Sequence, residues 1–234
     1  MEKWKLKLPD VITIDGPVAS GKSSVGMILS KRLGFLFLDT GIMYRAVTWA
    51  AINQKIKIDN KEAICNLAQQ IDIEIKPPTK FDGRINDVFV DKVDVTWKLR
   101  EPEVNEKVSQ VSRYQLVREV LTEQQREFGR RGKIVMAGRD IGTIVMPDAE
   151  MKIFLEASVE ERALRRYNEE VKRGKQIDLE DVIKNVEMRD KIDSNREIAP
   201  LIPAKDAVII TTDGREISKV VDEILSIIEN YKYP

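Results

Sequence analysis

The chain of 234 residues contains no histidine and a single cysteine, Cys65. Without histidine there is no His-based zinc site, no Ser-His-Asp or Cys-His nucleophile pair and no phosphohistidine chemistry. One cysteine closes no intrachain disulfide, which fits a reducing cytoplasm. Cys65 itself reads as a small apolar residue in a helical stretch. Net charge is missing too. Lys+Arg and Asp+Glu both number 39, so no global basic field exists to attract a nucleic acid. No run reaches the ~18 apolar residues of a membrane span, and MEKWKLKLPD lacks the apolar stretch of a signal peptide. Any chemistry must therefore rest on charge, positioning and carboxylates. The length suits one core, or a core with a smaller appended unit.

Hydrophobic periodicity organises the chain. Val11 to Asp15 (VITID) is a β-branched run that predicts a buried strand. A Gly-rich turn follows, then a helix over Lys22–Leu33 closed by Gly34. Phe35 to Leu38 predicts a second strand, and Asp39 and Thr40 can cap the helix after it. Strand–helix–strand at this tempo predicts a parallel sheet flanked by helices. The texture changes after about Leu67. Ile71, Ile73 and Ile75 alternate with polar residues, Pro77, Pro78 and Asp82-Gly83 are turn chemistry, and a second alternating run goes from Val88 to Trp97. A small antiparallel sheet inserted in the α/β core is expected there, then helices near Pro102–Ser112 and Gln115–Gly129. The core pattern resumes with strands at Ile134–Ala137, Lys152–Leu155 and Val208–Thr211. Its helices are expected near Val159–Arg173, Leu179–Ser194 and Ile217–Asn230.

Between the first strand and the first helix lies Gly16-Pro17-Val18-Ala19-Ser20-Gly21-Lys22-Ser23-Ser24. This contains the P-loop pattern G-x-x-x-x-G-K-[ST] in the context it requires. Glycine lets the backbone bend and approach an anion without a Cβ in the way. Successive N–H groups then converge on a phosphate at the positive end of a helix. Lys22 adds a point charge near the β- and γ-phosphates, and Ser23 can ligate Mg²⁺. Asp15, just before the loop, reads either as a group orienting Mg²⁺ waters or as a strand-end polar residue. GTPases, motor ATPases and kinases all carry such a loop, so the acceptor must be read elsewhere.

Arginines point to a second phosphate. Thr40, Tyr44 and Arg45 stand at a helix start, a second anion site. Arg139 and Asp140 follow a buried strand, where parallel sheets bind ligands. Arg162, Arg165 and Arg166 fall at i, i+3 and i+4 on one helix face, and Arg189, Asp193 and Arg196 at spacings of four and three. Several cations are what phosphoryl transfer needs to bring two anions together.

VITIDGP with GKSS, FLFLDTGIMYRAV, AGRDIGTIVMPDAEMKIFLEASVEERALRR and RDKIDSNREIAPLIPA resemble the bacterial cytidylate kinase family, in motif order and spacing, over nearly the whole chain. The resemblance implies a five-stranded parallel P-loop core (1–66 and 113–234) with a helical lid near 160–177. It also implies a small inserted nucleoside-monophosphate-binding domain (67–112). It implies ATP and CMP or dCMP as substrates, with Mg²⁺, in a cytoplasmic monomer. Carried over by residue, it sets Arg45, Arg139 and Arg189 near the CMP phosphate. Ser109, Arg118, Asp140 and Arg196 fall around the nucleotide, Asp193 at the ribose, and Arg162 and Arg166 on the lid. Lys22, Arg139, Arg162 and Arg189 are thus the expected catalytic residues. An acid such as Asp140 accepts from the cytosine N4 amino group, and Arg118 or Arg196 donates to N3 and O2. The chain departs from the family at Ala137, where an aspartate is usual and magnesium coordination would be affected. It departs again at Val90-Asp91-Lys92-Val93-Asp94, which lacks the usual turn glycine. The alternatives left open are a P-loop kinase for UMP, AMP or another small acceptor, a nucleotide-binding switch, and an inactive homologue. The absence of an N-K-x-D motif speaks against the switch.

Overall fold

The computed structural model describes residues 8–230 apart from 81, 173 and 197. Residues 1–7 and Arg173, the expected last residue of the lid helix, lie outside the described residues. In chain order the elements are β1 (Val11–Asp15), α1 (Lys22–Leu33), β2 (Leu36–Asp39), α2 (Gly41–Asn53), α3 (Lys61–Gln70), β3 (Ile73–Lys76), β4 (Asp87–Val90) and β5 (Val93–Asp94). Then come α4 (Pro102–Val111), α5 (Gln115–Arg130), β6 (Ile134–Gly138), β7 (Met151–Glu156), α6 (Val159–Lys172), α7 (Leu179–Ser194), β8 (Val208–Thr211) and α8 (Ile217–Asn230). No helix among the described residues is long and apolar enough to cross a membrane.

The chain forms two compact units, one of residues 1–36 with 132–234 and the other of residues 37–131. The segment 67–112 lies wholly inside the second. The first unit holds the parallel sheet, in strand order β2-β6-β1-β7-β8, which β2 joins through the Leu36 N–H on the Lys133 carbonyl (2.8 Å). β1 is flanked by β6 and β7, both parallel to it, and all five of its residues are buried. That is why VITID reads as a β-branched run without a solvent-facing alternate position: a strand covered on both faces has no solvent side, and even Thr13 and Asp15 are buried. Helix α1 packs on β6 and α8 through an apolar face that includes Val25 and Leu29. Gly34 ends it in the left-handed conformation.

In the second unit α2 packs on α3 and α4, and α3 on α5. A three-stranded antiparallel sheet, β3-β4-β5, buries Ile73, Ile75, Val88 and Val90 in alternation with more exposed positions. Arg84 holds the loop before β4. Its buried guanidinium bonds Asp82 (2.8 Å), Asp87 (2.7 Å) and Asp94 (3.2 Å). The Thr79 hydroxyl and Arg84 together hold the Asp87 carboxyl below the usual carboxylate range. The cap before α2 is made by Asp39, whose Oδ1 accepts the Gly41 N–H (3.1 Å), while the Thr40 side chain at the cap position does not cap the helix.

The alternating run from Val88 to Trp97 is not one strand. It folds back at Asp91-Lys92, so that Phe89 pairs with Asp94 and Val90 with Val93. Both turn residues lie in the left-handed region, at φ 48° and 66°. This is the backbone of the tightest hairpin, which favours Asn-Gly or Asp-Gly because its right-handed twist matches the strands. Lys92 stands where glycine would be unstrained, and left-handed backbone costs an L-residue about 1–2 kcal/mol. The departure from the family pattern thus leaves the turn geometry intact at the expense of strain. Lys92→Gly is expected to stabilise the protein by about 0.5–1 kcal/mol, measured as a raised urea midpoint; a lowered midpoint would contradict the strain.

Candidate active site

The glycine loop joins β1 to α1 in the first unit. Gly16 has φ 150°, and a Cβ there would lie 2.3 Å from the Leu155 carbonyl oxygen on β7. No side chain fits between the two strands at this point, so the loop can leave the sheet here only as glycine. Ala19 and Gly21 also have positive φ, at 59° and 95°. These turns bring the loop round to the first turn of α1, the positive end of the helix, where anions bind. The Lys22 ammonium folds back over the loop onto the Pro17 carbonyl (2.5 Å) and the Ser20 hydroxyl (3.4 Å). A cavity of about 630 Å³ opens beside the loop, between Val18–Val25, Arg165, Lys172, Thr212 and Arg215.

Thr212 and Arg215 were not singled out by sequence reasoning, and Arg165 was read only as a member of the helical arginine cluster. The Arg165 guanidinium bonds the Thr212 hydroxyl (3.0 Å) and carbonyl (2.5 Å), and the Thr212 hydroxyl reaches the Ser20 carbonyl (3.3 Å). A signal was present: Thr212-Asp213-Gly214-Arg215 follows the end of a parallel strand, where the rule applied to Arg139 holds equally.

Three of the expected acceptor-side residues of the first unit, Arg139, Arg189 and Arg196, meet around Asp193. Arg139, just past β6, donates its Nε–H to Asp193 Oδ2, and Arg196 donates to Oδ1. Burial pulls the Asp193 carboxyl upward, but the charges of Arg139, Arg196 and Arg189 outweigh it and hold the group below the ordinary range. Asp140 is buried next in sequence. In the second unit Arg118 lies over the Tyr44 ring, 5.6 Å from its centre, and bonds the Ser112 carbonyl (3.3 Å). Arg45 holds the Leu99 carbonyl (3.1 Å) and Asn105 Oδ1 (2.6 Å). Thr40 is buried and Ser109 half-buried in the same unit.

One expectation changes. Arg162, read as a lid arginine, is only 3% exposed. Its guanidinium bonds the Ala157 carbonyl (2.9 Å), the Val18 carbonyl in the loop (3.3 Å) and both oxygens of Asp190 on α7 (3.0 and 2.5 Å). It braces the loop against α7; Arg166, with Glu170 at 2.8 Å, lies nearer the surface. Asp15, whose role the sequence leaves open, takes a backbone N–H on each of its oxygens, from Ile141 (2.9 Å) and Gly142 (2.7 Å). Ala137 pairs with Ile14 in register and is a core residue of β6.

The donors left for a metal are few. No group of three acidic or cysteine side chains suited to a metal occurs among the described residues. Ser23 offers one hydroxyl at the mouth of the loop. That set fits Mg²⁺, which keeps several waters and arrives on substrate phosphates.

A parallel sheet with a glycine nest between its first strand and first helix, and a paired-arginine cluster past its third, defines a P-loop protein that handles phosphate groups. The sequence model of the family described as Cytidylate kinase matches residues 12–230. Cytidylate kinase of Roseiflexus castenholzii is 46% identical over 222 residues, covering 94% of each chain. That of a Geobacillus species is 48% identical over 217 residues, covering 93% of this chain and 95% of the relative. An uncharacterised protein from Eubacterium ventriosum, 11% identical with a TM-score of 0.50 over 94% of this chain and 99% of its own, shares the fold. The chain belongs to the cytidylate kinase family.

Arg162→Ala would strand Asp190 and two carbonyls, and is expected to lower stability by about 2–4 kcal/mol, read from urea unfolding. A loss below about 1 kcal/mol would return Arg162 to a purely ligand-binding role.

Proposed function

We propose that the chain transfers the γ-phosphoryl group of ATP to the 5′-phosphate of CMP or dCMP, giving ADP and the pyrimidine diphosphate. The observation that carries the reading is an intact glycine loop, forced to glycine by the Leu155 carbonyl, in a member of this family. The ATP phosphates occupy residues 16–24, with Lys22 at the β- and γ-phosphates. Ser23 is the residue that would hold Mg²⁺, and the bound ion neutralises phosphoryl charge. Arg45, Arg139 and Arg189 take the CMP phosphate. Thr40, Tyr44, Ser109, Arg118, Asp140 and Arg196 surround the nucleotide, and Asp193 meets the ribose.

The acceptor oxygen is already anionic near neutral pH, so no general base is required. The residues have two tasks: to hold two mutually repelling phosphates in line, and to stabilise charge as it spreads over the migrating group. Donors that are in place before the reaction do this without reorganising. In this reading Asp193 serves both tasks. While CMP is absent it neutralises Arg139 and Arg196, and it keeps them in position for an incoming anion. Closure of the helices near 160–177 excludes water, which limits wasteful ATP hydrolysis. Cytosine is chosen because Asp140 accepts from its N4 amino group; the carbonyl of uracil would face a carboxylate. Buried free Cys65 suits the reducing cytoplasm.

A coupled ADP-release assay with CMP, dCMP, UMP, AMP and no acceptor tests the assignment. Turnover with CMP and dCMP is expected, and equal rates with and without acceptor would refute it. Lys22→Met is expected to lower kcat at least about 100-fold, and activity within about threefold of wild type would remove its role. Arg118→Ala and Asp140→Ala are each expected to cost CMP use about 1–3 kcal/mol. Unchanged kcat/KM for CMP in both would end the base-recognition assignment.

A further inference from the structure

Past Gly138 the chain makes one wide turn over Ile141–Val145, with the Val145 N–H on the Asp140 carbonyl (3.2 Å) and the Met146 N–H on that of Ile141 (2.7 Å). A wide turn of this kind is uncommon and tends to occur at functional sites. Its first N–H groups have no partner inside the turn. They are met by a carboxylate from another strand: Asp15, at the end of β1 and in register with Gly138, takes the Ile141 N–H on one oxygen and the Gly142 N–H on the other. Asp15 is 4% exposed. The approach is close. A Cβ on Gly142 would lie 3.0 Å from Thr13 Oγ1, 3.3 Å from Asp15 Oδ2 and 3.3 Å from Lys152 Cδ. The buried Thr13 hydroxyl has no hydrogen-bond partner in the structure.

We propose that Asp15 is a positioning residue for the acceptor side of the reaction: it anchors the wide turn to β1 and so fixes where Arg139 and Asp140 are presented to CMP. The inference rests on the reading that these two residues bind CMP. A carboxylate is suited to the task because it only accepts, with one oxygen for each N–H; an amide would turn its own NH₂ toward the second. Charge assistance makes both bonds strong in a buried site.

The anchor is sensitive to acid. Burial pushes the Asp15 carboxyl up to about 6, against the Gly142 and Ile141 N–H groups. Asp140 raises it further and Lys22 lowers it. Lys152 presents its alkyl stem here, while its ammonium is held by Asp206 (2.8 Å). Protonation below that value replaces one acceptor with an O–H that faces an N–H. The presentation of Arg139 and Asp140 is then lost as pH falls, and it is complete at neutral pH.

The test is the steady-state kinetics of the full chain carrying Asp15→Asn, over a range of pH. At neutral pH the KM for CMP is expected to rise roughly tenfold, the scale of one lost charge-assisted hydrogen bond, with the KM for ATP within about threefold. CMP's own phosphate also titrates near about 6. The wild type should therefore lose kcat/KM for CMP through two ionisations on the acid side, and Asp15→Asn through one. Gly142→Ala, which crowds the same contact without touching the charge, should give the same split between CMP and ATP. It carries the test if Asp15→Asn does not fold. An unchanged KM for CMP, or equal losses for both substrates, overturns the proposal. Arg139→Ala separates the two levels. If its KM for CMP is unchanged, the site reading falls and the inference with it. If that KM rises while Asp15→Asn stays like wild type, the inference alone falls.

Discussion

At the end of β1 the backbone passes so close to the Leu155 carbonyl that a single added carbon would lie 2.3 Å from the oxygen. This contact couples the sheet to the phosphate loop. Neighbouring parallel strands set the position of Gly16, and Gly16 sets where the following N–H groups converge. Phosphate binding therefore depends on a packing constraint in the core as much as on the loop's own sequence. The same strand end also carries Asp15, one residue earlier, which fastens the turn after β6. β1 thus organises the donor side through Gly16 and, in the proposed reading, the acceptor side through Asp15.

Buried charge is the second theme. Bringing isolated guanidinium groups into a protein is costly, and the structure avoids this by pairing them before any ligand arrives. Arg162 is matched with Asp190, and Arg139 and Arg196 with Asp193. The two arrangements differ in exposure. Arg162 is enclosed, with backbone carbonyls filling its remaining donors, and it acts as a brace. Arg139 and Arg196 keep part of their surface in solvent, which in the proposed reading leaves a face of the pair for an anionic substrate.

The elements were largely legible in the sequence because their signals are local. Helix α1 and β8 have the bounds that their caps and periodicity predict, and α7 and α8 do as well. The Val88–Trp97 run showed its alternation but not its pairing, because period-two alternation continues across a two-residue hairpin and Asp-Lys is not a usual turn pair. Among site residues, the P-loop is contiguous and was read whole. The cluster around Asp193 was half visible, since helical spacing links Asp193 with Arg189 and Arg196 but says nothing of Arg139, 54 residues away. Thr212 was passed over because its bond to Ser20 spans 192 residues.

The sequence alone determined the chemistry available: a phosphate nest, an excess of arginine near strand ends and helix starts, and no histidine to act as a base. These are properties of residue types and of short spacings, which survive without coordinates. Only the tertiary structure decided how each charge is used. Arg162 looks from the sequence like a group facing a ligand, yet it is spent on Asp190 and two backbone carbonyls, and Asp15, which the sequence left open, takes two backbone N–H groups. A side chain's partner is chosen by which unpaired donor or acceptor the fold buries next to it, and that proximity is not written in the neighbouring residues.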